Sequence, residues 1–522
     1  MELQCRTGNY GGFYLYWPDK EMHSPFRRYG LIILREEPGR AGAEALMARW
    51  RLAELAEAED CIIAFPDPPA GGWAAAGEDW AVRHLRDVQE RMCEPEDYVL
   101  EADEMGIPSL PSMLNRWHVM NDTRYYVALG GAAPAACALA RACPREVAAV
   151  CCAARTEDAA LTEGLAAIQM PLRWVRPEEL DDFPALYRAF CKPVRRLNTG
   201  AHGEPAPRLD FREEKFDCYI NDTRLGDQGG LAHTWLVHVP PGARGKLPLV
   251  LFLHGGSDSP AEAAEMSRFH KLGEREGFLT VYPWAGNTAA WNCALDPAGR
   301  DDLAFLRTLI GWMGAHYPVD RERIYLSGFS NGAAMAQAYA LAYPEQVAGL
   351  CHIDSNWPGR RMGPAGVEAG QVPAYVRGME RKKEFDYLMP VWYTYGDGEA
   401  SFPVYRGCSQ QIQYDFWKAY NHIPVADTPP RESPHPCGCG VPGELCETLA
   451  PLPEYPGHTY QVNRFYTGDG RRLNLYNYVV MHSKGHEVAP GDALLAWRYV
   501  SRFRRCADGT LGTVPGGAEA NP

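Results

Sequence analysis

Three absences narrow the reading before any motif is considered. No stretch of the 522 residues offers the roughly 18 unbroken apolar side chains that a membrane span needs, so no membrane partner is expected. Positive charge is in deficit: 52 Lys and Arg face 66 Asp and Glu, a formal net charge of −14. That balance argues against nucleic acid, or an anionic bilayer surface, as partner. The opening residues, MELQCRTGNYGG, lack a basic segment followed by an apolar one, so no secretory leader is expected. On that expectation the protein is cytoplasmic, and its 16 cysteines are reduced thiols.

What is present is the composition of a globular protein, 46% hydrophobic and 23% charged, in a chain too long for one ordinary core. The most informative segment is residues 324–336, IYLSGFSNGAAMA. It contains Gly328-Phe329-Ser330-Asn331-Gly332, a G-x-S-x-G pentapeptide between an apolar run and an alanine-rich stretch. Strand, tight turn and helix are the context that makes such a pentapeptide a nucleophile elbow. Around it, apolar runs at 249–253, 278–282, 347–353, 389–395 and 474–481 alternate with helical stretches. Such alternation predicts a parallel sheet covered on both faces.

The first half repeats this order. Tyr29–Leu34 answers the run before His254, Ala43–Ala58 reads as a helix, and Tyr125–Val150 aligns with Tyr325–Leu350 at a fixed offset. In that register Gly130 falls where Ser330 stands, and no Ser, Cys or Asp occurs from Arg124 to Ala136. Arg35-Glu36-Glu37 replaces His254-Gly255-Gly256. The predicted fold class is α/β, with tandem α/β-hydrolase-like domains, each a mostly parallel sheet with helices on both faces. The expected boundaries are 1–198 for a degenerate copy without a nucleophile and 199–508 for a catalytic domain. Within the latter an insertion is expected at about 400–470, and 509–522 is expected to be a disordered tail.

A serine hydroxyl needs a base, and the base needs an orienting acid. In this strand order the acid follows the nucleophile and the histidine comes last. His486, on the loop after the strand at 474–481, is the expected base, with His482 in reserve. Glu399 and Asp397 both stand on the turn after the strand at 389–395, and Asp354 is a third carboxylate. Asn331 and the Gly255/Gly256 turn are expected to supply oxyanion-hole N–H groups, with His254 packing that turn. Trp284, Trp291, Trp357 and Trp392 could line an aromatic pocket or belong to the core.

Taken together, Leu253-His-Gly-Gly256, Gly277-Phe-Leu-Thr-Val-Tyr-Pro283, Trp291-Asn292, Asp301-Asp302, Val319–Tyr325, Ser330-Asn331-Gly332 and Gly485-His486 with Pro490-Gly491 carry a resemblance. The second half, from about 230 to 505, resembles the esterase family of polyhydroxybutyrate depolymerases and feruloyl or acetylxylan esterases, within the α/β-hydrolase superfamily. The resemblance implies Ser330 as nucleophile and His486 as base. The family's Gly-x-x-Asp turn reads Gly396-Asp-Gly-Glu399 here, so Glu399 falls on the acid position and Asp397 is its reserve. It implies a small-molecule or polymer ester as substrate and no cofactor. Two other readings share these residues: a prolyl-oligopeptidase-like serine peptidase, and a non-catalytic binding protein on the same fold. The run His435-Pro-Cys437-Gly-Cys439 with Cys446 could hold zinc, but its spacing is not a standard one, and no metal is expected. The sequence leaves open whether the first half braces the catalytic domain, covers its pocket or forms the face of a homo-oligomer.

Overall fold

The computed structural model describes residues 3–18, 25–26, 28–95, 98–99, 119–225, 232–286, 290–355, 357–359, 369–399, 404–406, 408, 410–424, 428, 430, 443–453 and 455–514. The chain divides into two compact units, Met1–Glu214 and Lys215–Pro522.

The first unit forms a seven-stranded sheet from β1 (Gln4–Thr7), β2 (Gly12–Tyr16), β3 (Arg28–Leu34), β4 (Cys61–Pro66), β5 (Val119–Leu129), β6 (Ala149–Ala153) and β7 (Leu172–Val175). Their spatial order is β1-β2-β4-β3-β5-β6-β7. A hairpin, β8 (Val194–Leu197) with β9 (Glu204–Pro207), follows. The Tyr125 hydroxyl of β5 donates to the Val194 carbonyl at 2.7 Å, which ties the hairpin to the first sheet. The division between units accordingly lies beyond Asn198, where the sequence alone suggests it.

The second unit forms a ten-stranded sheet from β10 (Asp217–Asp222), β11 (His233–His238), β12 (Leu247–Leu253), β13 (Leu279–Pro283), β14 (Val319–Phe329), β15 (Gly349–Ile353), β16 (Val391–Gly396), β17 (Leu445–Thr448), β18 (Tyr460–Tyr466) and β19 (Asn474–Met481). Its order is β10-β11-β13-β12-β14-β15-β16-β19-β18-β17. The first seven positions reproduce the first sheet's order strand for strand. The pairing senses also agree: the two outermost pairs are antiparallel and the next four parallel. Even an irregularity is shared. The helix expected at 43–58 and the helical stretch after β12 each break in two, at Arg51 (φ 49) and Arg268 (φ 50).

The parallel strands are buried on both faces, which is why their sequences read as continuous apolar runs. In the first unit Ile32 and Leu34 join one core cluster while Leu31 and Ile33 join the other. Within the inserted region lie a helix, Gln411–Tyr420, and the antiparallel strands β17 and β18, which extend the sheet beyond β19. The tail is corrected in part: β20 (Phe503–Arg505) pairs with β21 (Leu511–Thr513), and residues 515–522 lie outside the described set. Among the described residues no helix is long and apolar enough to cross a membrane, and no disulfide joins the cysteines.

His352, on β15, is fully buried and stacks on Tyr393 at 4.4 Å. Burial pushes its pKa down to about 3. The folded ring stays neutral while the unfolded ring takes up a proton, so stability falls as pH drops from about 6.5 towards 3. His352→Phe keeps a stacking ring without a titrating group. Urea unfolding between pH 7 and pH 4 should lose less stability in the variant than in the native protein. By linkage the difference at pH 4 should be roughly 3 kcal/mol.

Candidate active site

Strand β14 runs straight into a helix, Asn331–Ala342, with Ser330 as the single residue between them. Ser330 has φ 51 and ψ −118, backbone angles that a side-chain-bearing residue rarely holds. Its N–H donates to the Ile353 carbonyl at 3.0 Å, and its carbonyl accepts the first helical N–H, that of Ala334, at 3.1 Å. The bend closes because Gly328 and Gly332 lack side chains. A Cβ on Gly332 would stand 2.2 Å from the carbonyl oxygens of both Leu253 and His254. A Cβ on Gly328 would stand 2.7 Å from the Gly332 carbonyl. The helix therefore starts directly against the end of β12, with Ser330 and Asn331 half-buried at its head.

The turn after β12 faces that head. His254 is fixed by three bonds: Nδ1 donates to the Gly255 carbonyl at 2.7 Å, Nε2 accepts the Ala285 N–H at 3.0 Å, and its carbonyl accepts the Trp291 indole N–H at 3.0 Å. Trp291 also donates its backbone N–H to Asn331 Oδ1 at 2.6 Å, so one residue links the turn to the helix head. The sequence marks Trp291 as pocket or core and as part of the Trp291-Asn292 pair of the resemblance; like Trp284, Trp357 and Trp392, it is buried. The expectation for Gly255 changes. Its N–H donates to Asp258 Oδ2 at 3.0 Å, a carboxylate that sequence reasoning missed. Gly256 is the residue beside the helix head, its Cβ position 3.9 Å from the Asn331 Cβ. The Asn331 N–H, in the first turn of the helix, has no intrahelical acceptor.

From the other side comes the loop after β19. The His486 ring lies 4.6 Å from that of Phe329, the residue before Ser330. His486 Nδ1 meets Glu399 Oε1 at 2.6 Å. Asp397, two residues away on the same turn, goes elsewhere: it accepts from His482 Nδ1 at 2.9 Å and from the Ser483 N–H at 2.7 Å. The four groups thus form two dyads, Glu399–His486 and Asp397–His482. Burial opposes charge on His486, but the Glu399 hydrogen bond and the nearby Asp354 carboxylate outweigh it and raise its pKa. Asp354, Glu399 and His486 bring ligand atoms within 4.8 Å of one another. Hydrogen bonds account for that grouping, since each of the three is engaged by protein donors or acceptors. His435, Cys437 and Cys439 lie outside the described residues.

The first unit bends its chain at the matching place. Gly130 follows β5 with φ 53. The N–H of Gly131, which corresponds to Asn331, donates to Glu36 Oε1 at 2.7 Å. A Cβ on Gly130 would stand 2.3 Å from that carboxylate oxygen.

Residues 233–356 match the family described as "Esterase PHB depolymerase". The second unit is similar to this esterase family. A poly(3-hydroxyalkanoate) depolymerase C from Paucimonas lemoignei is 33% identical over 124 residues, covering 22% of this chain and 30% of its own. The chain thus spans under a third of that relative's length. A feruloyl esterase B from Talaromyces stipitatus is 23% identical over 262 residues, 49% of this chain and 69% of its own. Among solved structures, an acetyl xylan esterase from Aspergillus awamori aligns over 54% of this chain and 98% of its own, at 15% identity and a TM-score of 0.36.

Gly332→Ala tests the close approach at the bend. The added methyl must push apart two backbone segments, not a flexible side-chain end. A loss on the order of 3 kcal/mol is expected in urea unfolding; a variant as stable as the native protein would show that the gap is wider than described.

Proposed function

We propose that the chain is a serine carboxylic-ester hydrolase of the polyhydroxybutyrate depolymerase and feruloyl-esterase type, working through an acyl-enzyme on Ser330. One observation carries the reading. A serine held at strained backbone angles has, packed on its preceding residue, an imidazole bonded through Nδ1 to a carboxylate. Nδ1 bonded to Glu399 leaves Nε2 as the nitrogen that can take a proton. In the first step His486 removes the Ser330 proton as Oγ attacks the ester carbonyl. The tetrahedral oxyanion is held by the N–H groups of Asn331 and Gly256, with Gly255 committed to Asp258. His486 passes the proton to the departing alcohol. Water then attacks the acyl-enzyme with His486 again as base, and the acid leaves. Glu399 holds the ring and stabilises the imidazolium.

The first unit is read as a non-catalytic copy. Glycine stands at its bend, and a carboxylate of its own chain sits against the N–H that matches Asn331. No Ser, Cys or Asp occurs from Arg124 to Ala136 to form an acyl intermediate at that bend. The esters named for the relatives, polyhydroxyalkanoates and feruloyl or acetyl-xylan esters, are the substrates to screen first.

Ser330→Ala should abolish hydrolysis of p-nitrophenyl acetate and labelling by a fluorophosphonate. Retention of most of the rate would reject the assignment, and a native chain that neither turns over nor labels would favour the binding-protein reading. Glu399→Gln should cost roughly 10,000-fold in kcat, while Asp397→Asn should cost less than about tenfold; the reverse result would move the acid to Asp397. The rate needs neutral His486, whose pKa is raised, so the acid limb of kcat/KM should lie above the ordinary imidazole value near 6.5.

A further inference from the structure

Beneath the Glu399–His486 pair lies a buried charged cluster that the mechanism does not use. Asp354, Lys484 and Asp492 have side chains that are 0% exposed. Lys484 Nζ meets Asp354 Oδ2 at 3.0 Å, Asp492 Oδ2 at 3.1 Å and the Glu487 carbonyl at 3.0 Å, so its three protons are used. Asp354 is the hub. Its Oδ1 accepts the Gly396 N–H at 3.0 Å, on the turn that carries Glu399. Its Oδ2 accepts the Glu487 N–H at 3.1 Å, next to His486. Its own N–H donates to the Thr394 carbonyl at 2.9 Å, and Ile353, just before it, accepts the Ser330 N–H. One residue is thus bonded to, or adjacent to a bond with, all three segments that bear the candidate triad. Asp354 holds positive φ, 45, to reach this place.

With both carboxylates ionised, two anions around one ammonium leave the cluster with a net negative charge. Its neighbour, His486, becomes positive when it takes a proton. Burial outweighs the Lys484 ammonium and pushes the Asp354 pKa up to about 7; every donor aimed at the carboxylate is an N–H, which suits the ionised form held above that pH. Burial likewise opposes charge on Lys484, but the two carboxylates outweigh it and hold the ammonium. The titratable groups facing the hub are Lys484, Glu399, His486 and Asp492, with the Tyr393 and Tyr460 hydroxyls, which burial keeps protonated.

We propose that Asp354 is a positioning residue of this site: it fixes the loops of Glu399 and His486 through backbone hydrogen bonds, and its negative charge strengthens His486 as a base. The inference rests on the esterase reading for its meaning in catalysis, but its physical content does not need turnover.

The test follows the His486 Cε1–H resonance by NMR, assigned by its loss in His486→Gln, across pH 4 to 9. Asp354→Asn should lower the titration midpoint by roughly 1 unit or more, as removal of a charge within a few ångströms does. Asp492→Asn removes the same charge from the far side of the ammonium and should lower it less. In an active enzyme the acid limb of kcat/KM should move down in parallel, with kcat reduced. A midpoint unmoved in Asp354→Asn, with a native circular dichroism spectrum, overturns the proposal. Should that variant not fold, an unmoved midpoint in Asp492→Asn overturns it. A native chain with no esterase activity would sink the functional reading alone, since the titration would still report on Asp354.

Discussion

The site depends on one steric constraint: the helix of the bend must begin in contact with the backbone at the end of β12. The Leu253 and His254 carbonyls leave no room for a carbon beyond the Gly332 Cα. That contact sets where Ser330 stands, and Gly256 lies beside the helix head, its Cβ position 3.9 Å from the Asn331 Cβ. The backbone strain at Ser330 persists because its surroundings over-determine it: Ile353 takes its N–H, Ala334 its carbonyl, and two glycines remove the alternatives.

Around that fixed point, polar groups are shared in a definite order. Trp291 bridges the turn and the helix head, Asp258 occupies the Gly255 N–H, and Asp354 collects amides from the Glu399 turn and the His486 loop. Such shared bonds are how a site drawn from five strand ends is held in one geometry.

Much of this was legible in the chain. Gly328-Phe-Ser-Asn-Gly332 between an apolar run and an alanine-rich stretch is a local signal, so the strand, bend and helix could be read directly. The repeated order of the two halves could be read because buried parallel strands announce themselves as apolar runs. The choice between Glu399 and Asp397 could not be made from spacing alone. Both sit on one turn, and their partners depend on how the 482–486 loop bends, with Ser483 at φ 58. The Asp354–Lys484 contact joins residues far apart in sequence, and nothing in either segment signals the other. The broken helices were missed because arginine carries the positive φ at both breaks, where glycine would have given a sign.

The Glu36 carboxylate has a consequence for any attempt to refit the first unit. Any side chain introduced at position 130 must dislodge Glu36 from the Gly131 amide before it can occupy the bend. A serine placed there alone would share the bend with that carboxylate, whose negative charge lies on the amide that corresponds to Asn331.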